Sequence, residues 1–182
     1  MSNPSHLEFE TKLARVRDWL DRERLGGVLF LTTANFAWIT CGGRSHVSVA
    51  AERGVGAVLV TPDAAYLLAD NIELARLLEE ELAGLPLIPR EFPWWSSSAV
   101  DEALRLVPAE ALAVDVPLPG CRTLSPAETI ALRNPLLPEE VARYRALGEA
   151  VGVALTHVAF HCRPALTEHQ LAGMLGKALM DF

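Results

Sequence analysis

Residues 27–47 constrain the fold of this chain more than any other stretch. They open with Gly27-Val28-Leu29-Phe30-Leu31, an unbroken apolar run. Successive side chains of a strand point to opposite faces, so a run with no polar alternation describes a strand covered on both sides. Such a strand belongs inside a sheet with layers above and below it. Residues 35–40 then read as a short helix or turn, which Gly42-Gly43 breaks, and the stretch ends in a loop carrying Arg44 and His46.

The remaining pattern supplies the layers. Residues 7–24 predict a helix, because Phe9, Leu13, Val16 and Leu20 recur at helical spacing, Trp19 widens the stripe, and charged residues fill the other face. Gly26-Gly27 is expected to end it, since glycine adopts the left-handed C-terminal conformation cheaply. Residues 54–60 and 65–69 predict two strands joined at Thr61-Pro62-Asp63 as a hairpin. Asp70 or Asn71 caps a helix whose apolar positions are Ile72, Leu74, Ala75, Leu77, Leu78 and Leu82.

Residues 85–88 and 111–114 read as further short strands, with a helix from Ser96 or Ser98 to Leu106 between them. Phe92-Pro93-Trp94-Trp95 is an aromatic loop. Ser125-Pro126-Ala127-Glu128 carries a capping box with proline in the first turn, and Pro135 closes the helix it starts. Helices alternating with short apolar strands define an α/β domain, with helices on both faces of a mixed sheet, over residues 1–134.

The character changes after that. Pro138-Glu139-Glu140 starts a helix to about His161, with Val141, Tyr144, Gly148, Val151, Leu155 and Val158 as its stripe. Arg163-Pro164 stops it. Thr167 opens a last helix with Leu171, Met174, Leu175, Ala178 and Leu179 inward. Residues 135–182 are therefore two helices with no sheet of their own.

Composition narrows the function. A net charge of −7 and dispersed arginines argue against a nucleic-acid partner. Three scattered cysteines with no Cys-x-x-Cys pair suggest neither a zinc knuckle nor a disulfide framework. The N-terminus lacks a signal-peptide pattern and no apolar run reaches membrane-spanning length, so a cytoplasmic location is the expectation.

Little in the chain reads as catalysis. His157 and His161 share a helix face, a spacing that can bind a metal. The metallopeptidase pattern also needs glutamate beside the first histidine, where Val158 stands, so the pair reads as a polar helix end. Neither a phosphate loop nor a nucleophile elbow occurs. Arg44 stands out, because a guanidinium in a glycine-hinged loop can grip a carboxylate through two parallel hydrogen bonds. Trp94 and Trp95 can line a groove or an interface. The residues thus single out no catalytic group and no metal ligand, and leave Arg44, His46, Trp94 and Trp95 as binding candidates, beside the plainer reading of an ordinary exposed arginine and an aromatic loop packed over the core.

The run Asn35-Phe36-Ala37-Trp38-Ile39-Thr40-Cys41-Gly42 resembles a motif Asn-x-x-(aromatic)-(Leu/Ile)-Thr-x-Gly. That motif belongs to the N-terminal domain of the creatinase/prolidase/aminopeptidase P metallopeptidases. Val60-Thr61-Pro62-Asp63 and the run Leu-Leu-Ala-Asp-Asn-Ile-Glu from Leu67 to Glu73 resemble the same family. Further on, Leu137-Pro138-Glu139-Glu140-Val141-Ala142-Arg143-Tyr144-Arg145 looks like the first helix of its "pita-bread" catalytic domain. Arg163-Pro164-Ala165-Leu166-Thr167-Glu168 is similar to a Pro-Gly-Met-Thr-Glu segment, with Ala165 in place of the glycine.

The resemblance implies a creatinase-like, ribonuclease H-like N-terminal domain followed by the start of an incomplete catalytic domain. It implies an Xaa-Pro aminopeptidase or dipeptidase relative whose full-length form binds two divalent ions (Mn, Co or Zn) through two Asp, one His and two Glu. None of those ligand motifs occurs in this chain, so no cofactor is expected in it and the chain alone is expected to be inactive. Its implied work is dimer formation and shaping of the substrate entrance, with Arg44 at the position that contacts substrate. Pro-containing peptides would be bound only in a full-length context. The alternative is a stand-alone module that associates with itself or a related chain through the C-terminal helices.

Overall fold

In the computed structural model, which describes residues 4–181, the apolar run becomes strand β1 (Gly27–Thr32). Helix α1 (Pro4–Glu23) precedes it, and helix α2 (Thr33–Ile39) follows without a loop. The other strands are β2 (Arg53–Val60), β3 (Ala65–Asp70), β4 (Ile88–Phe92), β5 (Leu112–Val114) and β6 (Arg122–Thr123). They form one mixed sheet in the order β4-β3-β2-β1-β5-β6. β1 runs antiparallel to β2 and parallel to β5, while β2 and β3 form the expected hairpin.

Both faces of β1 are covered. Val28 and Phe30 join one core with Phe9, Val16 and Leu20 of α1 and with Phe36 and Ile39 of α2. Leu29 and Leu31 join a second core with Ala103 and Val107, from helix α4 (Ala99–Leu106) and its C-cap. Helix α5 (Pro126–Arg133) returns Leu132 to the first core. Its capping box is formed as expected, with Ser125 Oγ accepting from the Glu128 amide and Glu128 Oε2 accepting from the Ser125 amide.

A polar clamp closes the end of β1. The Asp115 carboxylate accepts from the Leu31 amide (2.8 Å), the Thr32 amide (2.9 Å), Thr32 Oγ1 (2.7 Å) and Asn35 Nδ2 (2.9 Å). Asn35 Oδ1 then accepts from Arg133 at 3.1 Å. Thr32 Oγ1 also caps α2 through the Asn35 amide. Backbone donors at a strand-to-helix junction have no ladder or helical partner of their own, and an unmade buried bond is costly.

Several local expectations are corrected. The residue that ends α1 in the left-handed conformation is Arg24 (φ 57°), not a glycine of Gly26-Gly27. The Leu25 amide reaches the Leu20 carbonyl and the Arg24 amide that of Asp21, so the helix end is a Schellman motif built on a non-glycine residue. Glu8 and Lys12, expected on the outer face of α1, are buried. Lys12 Nζ donates to Glu8 Oε1 (2.7 Å) and to the Trp38 carbonyl (2.6 Å), placing a cation at the C-terminal end of α2, where the helix dipole favours it. The strand expected at residues 85–88 lies at Ile88–Phe92, where it pairs parallel to β3. Ile72 is exposed.

The chain divides into two compact units, Met1–Pro135 and Leu136–Phe182. The second holds helices α6 (Pro138–His161) and α7 (Glu168–Met180). Of the expected stripe only Val158 is fully buried, while Tyr144 and Leu155 are exposed; Ala154, outside that stripe, is buried with Val158, so the inner face of α6 is turned from the expected one and lies towards its C-terminal half. No helix among the described residues is long and apolar enough to cross a membrane.

Asp115→Ala removes the acceptor for all the donors at the strand end. The expected loss is about 2–4 kcal/mol in urea unfolding at neutral pH. Asn35→Ala should cost less in that background than in the wild type, because the two side chains share one network. An unchanged unfolding midpoint for Asp115→Ala would remove the clamp from this account.

Candidate functional site

The sheet directions decide which loops meet. Thr32 at the end of β1 faces Arg53 at the start of β2, and Gly56 of β2 faces Ala69 near the end of β3. Asp70 and Phe92 end β3 and β4 side by side, and Leu29 of β1 pairs with Val114 at the end of β5. The loop with Arg44 and His46, the turn at Asp70-Asn71, Trp94-Trp95 and Asp115 therefore all emerge at one edge of the sheet. In open α/β sheets, ligands bind in the crevice beyond the carboxyl ends of the strands.

The Arg44 loop is tightly built at its base. α2 ends on Cys41 (φ 62°) and Gly42 (φ 115°), in a second Schellman arrangement with Gly42 N–H on the Ala37 carbonyl and Cys41 N–H on the Trp38 carbonyl. A Cβ on Gly43 would lie 2.6 Å from Leu82 Cδ2. Ser45 is buried, and its carbonyl accepts from the Val55 amide at 2.7 Å. Gly54 lies under it, where a Cβ would come within 2.0 Å of Ser45 Oγ, so only glycine fits. Beyond this anchor Val47 and Val49 are exposed, and His46 is half-buried.

Arg44 already holds a carboxylate. Its Nε lies 3.2 Å from both Glu81 carboxylate oxygens, its terminal nitrogen 3.1 Å from Oε1, and its backbone amide donates to Oε2 at 3.1 Å. The two side chains differ in exposure, at 70% for Arg44 and 8% for Glu81. The carboxylate is thus embedded and the guanidinium lies over it, open to solvent.

The helix beneath explains the placement. Asp70 Oδ1 accepts from the Ile72 and Glu73 amides and starts helix α3 (Leu74–Arg76), which widens into a π-helical turn at Leu77–Glu81. Leu77 and Leu82 are both buried although five residues apart. A regular α-helix would separate them by about 140° around its axis, and the i→i+5 turn realigns them. The Leu82 amide closes it on the Leu77 carbonyl at 2.9 Å. The same widening delivers Glu81 to Arg44, and such turns are frequent at functional sites.

Burial pushes the Glu81 carboxyl up. Hydrogen bonds from the Arg44 side chain and amide, with the charges of Arg44 and Arg76, outweigh it and leave the group below the usual carboxylate range. Arg76 NH1 lies 3.6 Å from Glu81, and Arg76 Nε also donates to Glu73 at 2.8 Å.

Trp94 and Trp95 stand at the end of β4 in edge-to-face contact, with ring centres 5.9 Å apart. The Trp94 amide donates to Asn71 Oδ1 at 3.3 Å, and both rings are largely exposed. All four sequence candidates thus lie at the same edge, Arg44 and His46 on one loop and the tryptophans on another. Glu81 and Asp115 were not among them. Glu81 sits in an acidic run, Glu79-Glu80-Glu81, that reads as a solvated face. Among the described residues no group of three or more His, Cys, Asp or Glu could hold a metal ion. A dinuclear metal site therefore does not fit these residues.

No protein-family model and no curated protein matches the sequence. Solved structures do match the fold. A dipeptidase, PepE, from Mycobacterium ulcerans aligns with a TM-score of 0.71 and 18% identity over 99% of this chain and 51% of its own. The prolidase from Pyrococcus furiosus aligns at 0.68 and 15%, over 93% of this chain and 52% of its own. An Xaa-Pro dipeptidase from Bacillus anthracis aligns at 0.66 and 14%, over 95% and 49%. The resemblance read from the motifs therefore holds for the fold, and the chain spans about half the length of the structures it matches.

The Glu81 shift sets a pH dependence. A carboxyl whose folded pKa lies below its unfolded value, about 4.3, stabilises the fold above that value and loses the contribution as pH falls through the folded pKa. Glu81→Gln should lower the melting temperature at pH 7 by about 2–4 °C. The gap to wild type should narrow steadily between pH 5 and pH 3. A gap that stays constant across that range would show that the charge of Glu81 contributes nothing.

Proposed function

We propose that this chain is the non-catalytic, entrance-shaping part of an Xaa-Pro aminopeptidase or dipeptidase system, and that it forms a dimer. One observation carries the reading: Arg44 shares a sheet edge with the exposed apolar side chains Val47, Val49, Ile72, Trp94 and Trp95. Apolar surface rimmed by a cation suits a subunit contact or an incoming peptide that ends in a carboxylate. The fold shared with prolidase and Xaa-Pro dipeptidase structures supports the family context.

In this reading Arg44 exchanges one carboxylate for another. The guanidinium side of this ion pair is open to solvent and salt, which weaken such a pair, so a peptide carboxylate can replace Glu81 on the guanidinium while Glu81 keeps Arg76. Two divalent ions (Mn, Co or Zn) and the residues that hold them belong to polypeptide outside this chain. A cytoplasmic setting fits a sequence with three scattered cysteines and no Cys-x-x-Cys pair.

A second reading rests on the other unit. α6 and α7 leave Tyr144, Leu147, Val153 and Phe160 exposed, which suits a stand-alone module that joins a second copy or a related chain.

Two measurements separate these readings. The chain alone, assayed on Xaa-Pro dipeptides and longer Xaa-Pro peptides with manganese or cobalt, should show no metal-dependent turnover; robust turnover overturns the non-catalytic reading. Light scattering at tens of micromolar should give a dimer that Trp94→Ser with Trp95→Ser converts to monomer. A dimer broken instead by Phe160→Ser favours the helical interface. A strictly monomeric chain ends both dimer readings.

A further inference from the structure

We propose that His157 and His161 form a two-histidine chelate for a borderline divalent transition ion such as Zn²⁺ or Cu²⁺, on the exposed face near the end of α6. Their spacing alone reads as a polar helix end, and the geometry adds two things to it. First, the rings face one another, with centres 4.3 Å apart and planes tilted by 35°. Imidazole nitrogens bound to one tetrahedral ion at about 2.1 Å hold their ring centres about 5 Å apart, so small rotations of the two rings close the chelate.

Second, His161 Nδ1 lies 2.7 Å from the His157 carbonyl oxygen. A carbonyl oxygen only accepts, so Nδ1 carries the proton. In the neutral ring the lone pair then sits on Nε2, at the outer end of the side chain. A backbone carbonyl holding the far nitrogen is the arrangement that fixes tautomer and orientation in histidine ligands.

The surroundings define the donor set. Asp181, which with His157 lines a groove of about 440 Å³ between the two helices, is held by Lys177 at 2.7 Å. Among the described residues no third histidine, cysteine or carboxylate completes a cluster. The ion therefore keeps two positions for water or for donors from another molecule. Imidazole suits zinc, copper and nickel, and a site without carboxylate oxygens selects against magnesium and calcium.

Isothermal titration of ZnCl₂ and of CuCl₂ into the untagged chain tests this. The expected result is one ion per chain, bound about tenfold or more weakly by His157→Ala and by His161→Ala. Alanine is the best helix former, so both variants should keep the wild-type circular dichroism. His169→Ala and Cys162→Ser should bind as wild type does. Copper should broaden the ring resonances of His157 and His161 before those of His6, His46 and His169. Absence of binding, binding untouched by both alanine variants, or binding lost in Cys162→Ser overturns the proposal.

Discussion

The N-terminal unit depends on one carboxylate at the end of its central strand. β1 is covered on both faces, so its backbone leaves the sheet in a crowded place, and it enters α2 with no loop between them. Asp115 supplies the acceptor for both amides at that junction, for the Thr32 hydroxyl and for Asn35. Through Asn35 the same network reaches Arg133 of α5. A single ionised group thus ties two strands and two helices together, using charge-assisted bonds stronger than neutral ones. The axis of α2 follows from this clamp, and with it the base of the loop that carries Arg44.

The candidate site is built around a mismatch in exposure. Glu81 is held in place by a π-helical turn whose cause is apolar, the need to bury both Leu77 and Leu82. Arg44 stays in solvent and is anchored by its guanidinium and its backbone amide, both on Glu81, and by the buried Ser45 beside it. A buried carboxylate beneath an exposed cation keeps the arginine oriented without burying it. The arrangement is preorganised, because the guanidinium is oriented by its contacts with Glu81 before anything else reaches it.

Legibility from sequence followed the range of the interactions. Periodicity found the buried strand, the β2–β3 hairpin and both C-terminal helices, and the capping signature at Ser125 appears as read. Helix ends were less legible. Arg24 and Cys41 occupy left-handed positions that pattern reading reserves for glycine, because the Schellman hydrogen bonds and nearby packing offset the cost of a Cβ there. Glu8 and Lys12 belong to the charged residues expected on the outer face of α1 and are buried, since an acceptor that Lys12 meets there, the Trp38 carbonyl, is remote in sequence. The stripe on α6 was drawn along the whole helix, although only its last turns meet α7.

Alone, the sequence determined the layered α/β class, the helical tail and the residues able to grip a carboxylate. Each of these follows from side-chain period, turn chemistry or residue type, which are properties of a few neighbouring positions. Only the tertiary structure decided that Arg44 meets Glu81, that Asp115 closes β1, and that the Arg44 loop and the tryptophans share one edge. Those outcomes require residues 37 or more positions apart to be brought together. Strand direction and register do that, and they are set by how the whole sheet buries its two faces.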